Sequence, residues 1–375
     1  MSAFIQFRKY LKTKNSYLFY LQRKILDGYV LRKSIKQKIK TYPQFQNVTE
    51  DVVFLREARQ YLQENFSGYK NTRWHHYYST MYGVKDVRFI PDEVYFTLIE
   101  PRLNRFELSS AYVDKISYDL KFGKEDMPVT VFKIINGNFF DKDNTEIDGQ
   151  DALKFLSAKQ ETVVIKPAIY SGGGRNIIIE EAPKAAERIK RDPEYLQGSF
   201  IIQERVRQHK VLEQFHPASL NTCRIMTARV GSEIVVLSAY LRMGNNNRCV
   251  DNGQAGGIFC RIGENGKISD YALDKLGTRA YKHPDTGVSF ANVVIPSYER
   301  AKQFCLENHR RFLRFTFISW DIGIRDDGSP VFIEFNLRLQ AINGHQIING
   351  PLFGEHTGYF IKQYQEACKR DFYYL

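Results

Sequence analysis

The chain has 375 residues, 43% hydrophobic and 14% aromatic, a balance that excludes a disordered or fibrous protein and suffices for a sizeable buried core. No apolar run approaches the roughly 20 residues needed to span a bilayer. The five cysteines (Cys223, Cys249, Cys260, Cys305, Cys368) show no CxxC spacing, so neither a zinc site nor a disulfide framework is expected, and a reduced, cytoplasmic setting is.

The net charge of +12 is unevenly spread: residues 1–40 hold eleven Lys/Arg against one acid, Asp27, which places +10 there. Aromatic and aliphatic residues interleave with these cations (Phe7, Tyr10, Leu11, Tyr17, Phe19, Leu21), as in basic amphipathic helices. Such a segment either packs a solvated face on the body of the protein or meets an anionic lipid surface peripherally. Nucleic acid is not expected as a partner, because no recognition helix, zinc finger or RNA-binding signature follows. MSAFIQFRKYLKTK lacks the uninterrupted apolar stretch of a signal peptide.

Residues 1–80 read as helical; TEDVVFLREARQYLQENF carries Val52, Leu55, Ala58 and Leu62 near helical spacing. Residues 81–160 read as short helices followed by a hairpin, VTVFKII and NFFD joined at Asn136-Gly137. From 161 onward strands dominate: ETVVIKPA, NIIIEE, SFIIQERV, TCRIMTARV, EIVVLSAYLRM and GIFCRIG. A helix is expected over about 296–315, then a strand pair, FTFISWDIGI and PVFIEFNL, joined by RDDGS. The expected fold class is α+β with antiparallel hairpins, not a doubly wound parallel sheet.

In the last strand pair, alternation puts Glu334 and Asn336 on one face, with Arg338 continuing it if the strand extends, and Asp321 on the partner strand able to lie opposite. Two carboxylates and an amide oxygen make a hard-oxygen set suited to Mg²⁺. Ordinary solvent-facing strand residues are the alternative. Upstream, VVIKPAIYSGGGRN sets Lys166 in an apolar run ahead of Ser171, Gly172, Gly173 and Gly174, either a phosphate clamp or a hairpin turn.

Taken together, the order of these features resembles the ATP-grasp superfamily of carboxylate–amine ligases over roughly residues 105–345. YVDKISYDL supplies an early lysine, Lys115, after Asp114; VVIKPAIYSGGGRN supplies Lys166 and the Gly-rich loop; FIIQERV is similar to the hinge strand; IEFNLR gives Glu334, Asn336 and Arg338. NTCRI, VDNGQAGG and WHHYYSTMYGVKDVRFIPDEVYFTLIEPRLN are similar to the sugar-transfer-associated group of surface-polysaccharide biosynthesis.

The resemblance implies two α+β subdomains clamping ATP between antiparallel sheets: a basic helical region at 1–85, one subdomain at 86–205 and a second at 206–375. It implies ATP contacts from Lys115, Lys166, Ser171 to Gly174, and the hinge residues Gln203, Glu204 and Val206, with His209 and Lys210 near ribose or on a surface loop. Asp321, Glu334 and Asn336 would hold two Mg²⁺ ions, with Mn²⁺ an alternative. Arg338 and Arg224 would steady an acyl phosphate, and Asp251 and Asn252 would face the acceptor. The implied substrates are a small-molecule acid and an amine, or a sugar-nucleotide or lipid-linked glycan. A kinase on the same fold and a non-catalytic scaffold are the competing readings. Oligomeric state is not legible.

Overall fold

The computed structural model describes residues 23–104, 106–169, 176–249, 251 and 256–371. Most of the basic N-terminal stretch, Ser171 to Gly174 and Asn252 therefore lie outside the described residues. No helix among the described residues is long and apolar enough to cross a membrane.

Three helices come first: α1 (Gly28–Thr41), α2 (Val52–Asn65) and α3 (Arg73–Tyr82). The periodicity expected for α2 is met: Leu55, Ala58 and Leu62 are buried, and the Asp51 side chain caps the first turn by accepting from Phe54 N–H. On α3 the run Trp74 to Tyr78 and Met81 are buried, and Trp74, Tyr77 and Tyr78 stack with Phe45 and Phe89 in an aromatic cluster.

Six strands follow in one antiparallel sheet: β1 (Thr130–Ile135), β2 (Asn138–Phe140), β3 (Glu146–Ile147), β4 (Thr162–Pro167), β5 (Ile178–Glu181) and β6 (Ser199–Glu204), ordered β3-β2-β1-β6-β4-β5. Asn136 (φ 51°) and Gly137 (φ 89°) both take the left-handed conformation that a two-residue hairpin requires, so the Asn-Gly signal sets this register. One face packs on α4 (Gly149–Ala158) and α5 (Ala182–Arg191) through Ile134, Leu156, Ile165, Ala185 and Ile189. The sequence reading passed over α5. Its apolar side is built from the small residues Ala182, Ala185 and Ala186, which give a weak hydrophobic signal despite helical spacing.

A second antiparallel sheet contains β7 (Thr222–Val230), β8 (Glu233–Met243), β9 (Ile258–Arg261), β10 (Ala272–Leu273), β11 (Arg279–Ala280), β12 (Phe317–Ile324) and β13 (Pro330–Asn336), ordered β11-β10-β9-β8-β7-β12-β13. α6 (Tyr298–Arg310) covers one face over Cys223, Ile225, Ile318 and Trp320, within the span expected for it. α7 (Ile342–Asn349) and α8 (Thr357–Asp371) lie on the other side with the N-terminal helices. The all-antiparallel pairing agrees with the α+β expectation.

Asn104 ties these layers together. Its amide donates to Phe317 O (2.8 Å) and Leu337 O (2.9 Å), and its Oδ1 accepts from Thr316 and Phe317 N–H (2.9 Å each). All four hydrogen-bonding positions of a fully buried amide are satisfied, fixing where β12 begins and where the chain leaves β13.

Candidate active site

The two sheets meet where the ends of β4 and β6 face β13. Asp114 Oδ1 accepts from Ile116 N–H (3.0 Å) and caps a short 3₁₀ turn, Lys115–Leu120. The Lys115 N–H donates to Ala168 O (3.0 Å), which links this turn to the end of β4. Lys115 Nζ then lies 3.5 Å from Glu334 Oε2 on β13. Lys166, the penultimate residue of β4, donates to Gln203 Oε1 (3.0 Å) on the neighbouring β6. Burial pulls the Lys166 ammonium down to about 8, Lys115 adds to the effect, and Glu334 opposes it. Two buried lysines side by side with one carboxylate between the sheets leave a local surplus of positive charge. That arrangement suits a polyanion.

On the opposing sheet, β12–β13 pairing sets Asp321 directly across from Glu334 and Ser319 across from Asn336. The expected juxtaposition of Asp321 with the Glu-x-Asn strand is therefore present. Asp321 has two further partners. Arg224 on β7 grips it with Nε to Oδ1 and with Nη2 to Oδ2 at 2.8 Å, and Arg242 on β8 approaches through Nη1 at 3.2 Å. Burial alone would raise the Asp321 carboxyl, yet the two guanidinium groups hold it below the usual range. Arg242 also binds Asp251, which accepts from the Thr222 hydroxyl as well. Alternation along YLRM was the available signal for Arg242, since it shares a face with Tyr240, the cross-strand neighbour of Arg224.

Fit to a divalent cation rests on three groups. Glu334 is partly exposed, and Asn336 has its Oδ1 to offer a cation, whereas its buried Nδ2, a donor with no hydrogen-bond partner, suits an anionic oxygen. Asp321 is oriented toward them but shares both oxygens with guanidinium groups. Among the described residues no group of three or more His, Cys, Asp or Glu could hold a metal. The oxygens left to offer a cation are those of Glu334 and Asn336 Oδ1, while Asp321 is held by Arg224 and Arg242.

Arg338 differs from expectation. β13 ends at Asn336 and the chain bends at Leu339 (φ 54°), so Arg338 stands half-buried two residues past the strand end. Gln203 and Glu204 end β6, with Glu204 N–H bonded to Val129 O (2.9 Å) and Arg205 N–H to Thr162 O (3.0 Å). Glu204 also pairs with Lys159 at 3.0 Å, while His209 caps the turn at Val211 and Lys210 opens a short helix. A cleft of about 760 Å³ runs past Glu204 and Val206 to Arg207, Lys210 and Asp326. A narrower recess between the sheets, lined by Lys115, Gln203 and Ile333, measures about 10 Å³ and takes one water at most.

The model of the sugar-transfer associated ATP-grasp family matches residues 99–357. A comparison with curated proteins finds no match. Among solved structures, an ATP-grasp ligase PsnB complexed with minimal precursor is similar at 16% identity and TM-score 0.41, over 70% of this chain and 64% of that one. The biotin carboxylase domain of the Hydrogenobacter thermophilus 2-oxoglutarate carboxylase is similar at 11% identity and TM-score 0.41, covering 70% and 48%. D-alanyl-alanine synthetase A from Vibrio cholerae is similar at 13% identity and TM-score 0.39, covering 69% and 65%. The chain thus spans 48–65% of the length of these solved chains.

Proposed function

The chain belongs to the sugar-transfer associated ATP-grasp family, an ATP-dependent ligase by that membership, and we propose that it joins a carboxylate to an amine through an acyl phosphate. The observation that carries this reading is the meeting of Lys115 and Lys166 from one side with Glu334, Asp321 and Asn336 from the other. The acid is a sugar acid, or the amine an amino sugar, of a surface-polysaccharide precursor.

In this reading Lys115 and Lys166 hold the α- and β-phosphates of ATP, and Ser171 to Gly174 supply backbone N–H groups to the same oxygens. Gln203, Glu204 and Val206 flank the adenine. Mg²⁺, held by Glu334, Asn336 and Asp321, would neutralise charge on the β- and γ-phosphates when bound. A carboxylate oxygen of the acid attacks the γ-phosphorus, and the bond to the ADP oxygen breaks. The amine then attacks the acyl carbon, phosphate leaves, and the nitrogen loses a proton to give the amide. Arg224 and Arg338 meet developing oxyanion charge in this reading, and removal of one such donor typically costs about 10²-fold or more in rate.

The test is an ADP-release screen that crosses uronic and amino acids with amines and amino sugars, with mass spectrometry of products. ADP formation that needs both an acid and an amine supports the ligase; ADP formation with a hydroxyl acceptor alone makes it a kinase. Glu334→Gln that left ATP turnover unchanged would remove the metal assignment.

We also propose that the basic N-terminal region docks peripherally on an anionic membrane. On α1 and the turn before it, Ile25 (57% exposed), Tyr29 (64%) and Val30 (59%) sit beside the exposed Lys33, Lys36 and Lys40. Apolar side chains flanked by cations match a lipid surface better than a nucleic acid. Co-sedimentation with vesicles that did not rise with anionic lipid content would refute it.

A further inference from the structure

Lys133 is the most deeply buried lysine among the described residues, 1% exposed, and the proposed reaction makes no use of it. It lies on β1, where its neighbours Phe132 and Ile134 turn into the core under α4 and α5. Register sets Lys133 opposite Ile201 on β6, and Ile201 opposite Lys166 on β4. Lys133 therefore shares a cross-strand row with Lys166, on the sheet face turned away from α4 and α5. Its charge and place would suit a phosphate, but an ammonium has three protons and all three are taken. They go to Ile116 O (2.9 Å), to Asn144 Oδ1 (2.6 Å) and to the Asp119 carboxylate. Asn144 Nδ2 closes the set by donating to the same Asp119 oxygen (3.2 Å).

Two of those acceptors, Ile116 and Asp119, belong to the 3₁₀ turn that begins at Lys115. The turn is held from the other side as well. Tyr118 packs against Phe332 and Phe335 of β13, with ring centroids 5.1 and 5.6 Å apart. Residues of one short turn thus face different sheets. A 3₁₀ turn has poor hydrogen-bond geometry of its own, so these anchors decide its placement. The backbone bond from Lys115 N–H to Ala168 O fixes where the turn starts, and Lys133 fixes its rotation about that point. The approach of Lys115 Nζ to Glu334, at 3.5 Å, follows from where the turn sits.

We propose that Lys133 is a positioning residue for Lys115: a buried ammonium that reaches no phosphate itself and aims the lysine that does. Asp119 is part of the same device, since removing either partner leaves the other charge buried and uncompensated. The inference rests on the nucleotide-site reading and adds to it a third lysine, one that acts through the turn.

The test is a pair of double-variant cycles on the full chain, read as MgATPγS affinity by calorimetry. In the wild type, Lys115→Met and Lys166→Met should each weaken binding about tenfold or more, one charge-assisted phosphate contact apiece. Lys133→Met should weaken it about tenfold as well, because a misplaced Lys115 no longer makes its contact. Adding Lys115→Met to Lys133→Met should then cost less than about threefold, while adding Lys166→Met should cost as much as it does in the wild type. A merely structural role moves neither cycle away from additivity. Lys133→Met/Asp119→Asn removes both charges together and supplies the same background where the single variant does not fold. Additivity of Lys133 with Lys115, coupling of Lys133 to Lys166 as strong as to Lys115, or affinity within about threefold of wild type in both Lys133 variants overturns the proposal. Wild-type binding that Lys115→Met does not weaken removes Lys115 from the site, and the inference with it. Failure of the wild type to bind MgATPγS overturns the nucleotide-site reading itself.

Discussion

Lys166→Met should make the empty protein more stable and the nucleotide complex much weaker. Lys166 is 8% exposed, its ammonium donates to the neutral Gln203, and Lys115 is a like charge beside it. The drop from 10.5 to about 8 corresponds to a charging penalty of about 3 kcal/mol in the folded state. Methionine keeps most of the apolar stem and removes the charge, so the expected gain in urea-unfolding free energy at pH 7 is about 1–3 kcal/mol. The pH dependence has a defined sign. Below pH 8 the lysine is protonated in both states and the penalty is constant. Between 8 and 10.5 the folded chain gives up its proton before the unfolded one does, so the wild type gains on the variant as pH rises through that window. In the opposite direction, loss of a charge-assisted contact to phosphate should weaken MgATPγS binding by about 10- to 100-fold in a fluorescence titration. A variant less stable than the wild type at pH 7, or one that binds nucleotide within about threefold of it, refutes the reasoning.

Asn104→Ala removes four hydrogen bonds from the junction of the two C-terminal strands with the helices before them, and should cost about 2–4 kcal/mol in chemical denaturation; a loss below about 0.5 kcal/mol would show that the junction relaxes around the gap. Three buried histidines are held neutral by desolvation, His75 and His309 at about 4 and His345 at about 3, against 6.5 when free. The unfolded chain binds protons there first, so stability should fall as pH drops from 6.5 toward 4, by up to about 1.4 kcal/mol per pH unit for each ring. Asp92, raised to about 6 by burial, works against this between 6 and 3.8, as do the raised Glu93 and Asp126, while the lowered His76, His216 and His283 reinforce it. His309→Gln should flatten the urea-midpoint profile between pH 7 and 5, and a profile that keeps its slope removes His309 from the account.

Local chemistry made much of this protein legible from its sequence. The Asn136-Gly137 turn, the helical spacing of α2, the Asp114 cap ahead of Lys115 and the period-two alternation of IEFN are each written within a few residues, and each folds as its spacing implies. Local pattern alone therefore carried the α+β class, every strand but the two-residue β3, β10 and β11, and the face on which Glu334 and Asn336 lie. Partner choice is another matter, because alternation says which way a side chain points and not which distant strand lies beside it. Asp321 meets Arg224 across 97 residues and Arg242 across 79, and only the β12–β7–β8 register turns a free carboxylate into a shared one. The end of β13 was likewise decided from a distance, since Asn104 takes the carbonyl of Leu337 from 233 residues upstream. Long-range hydrogen bonds and burial, which no local window contains, settled those contacts.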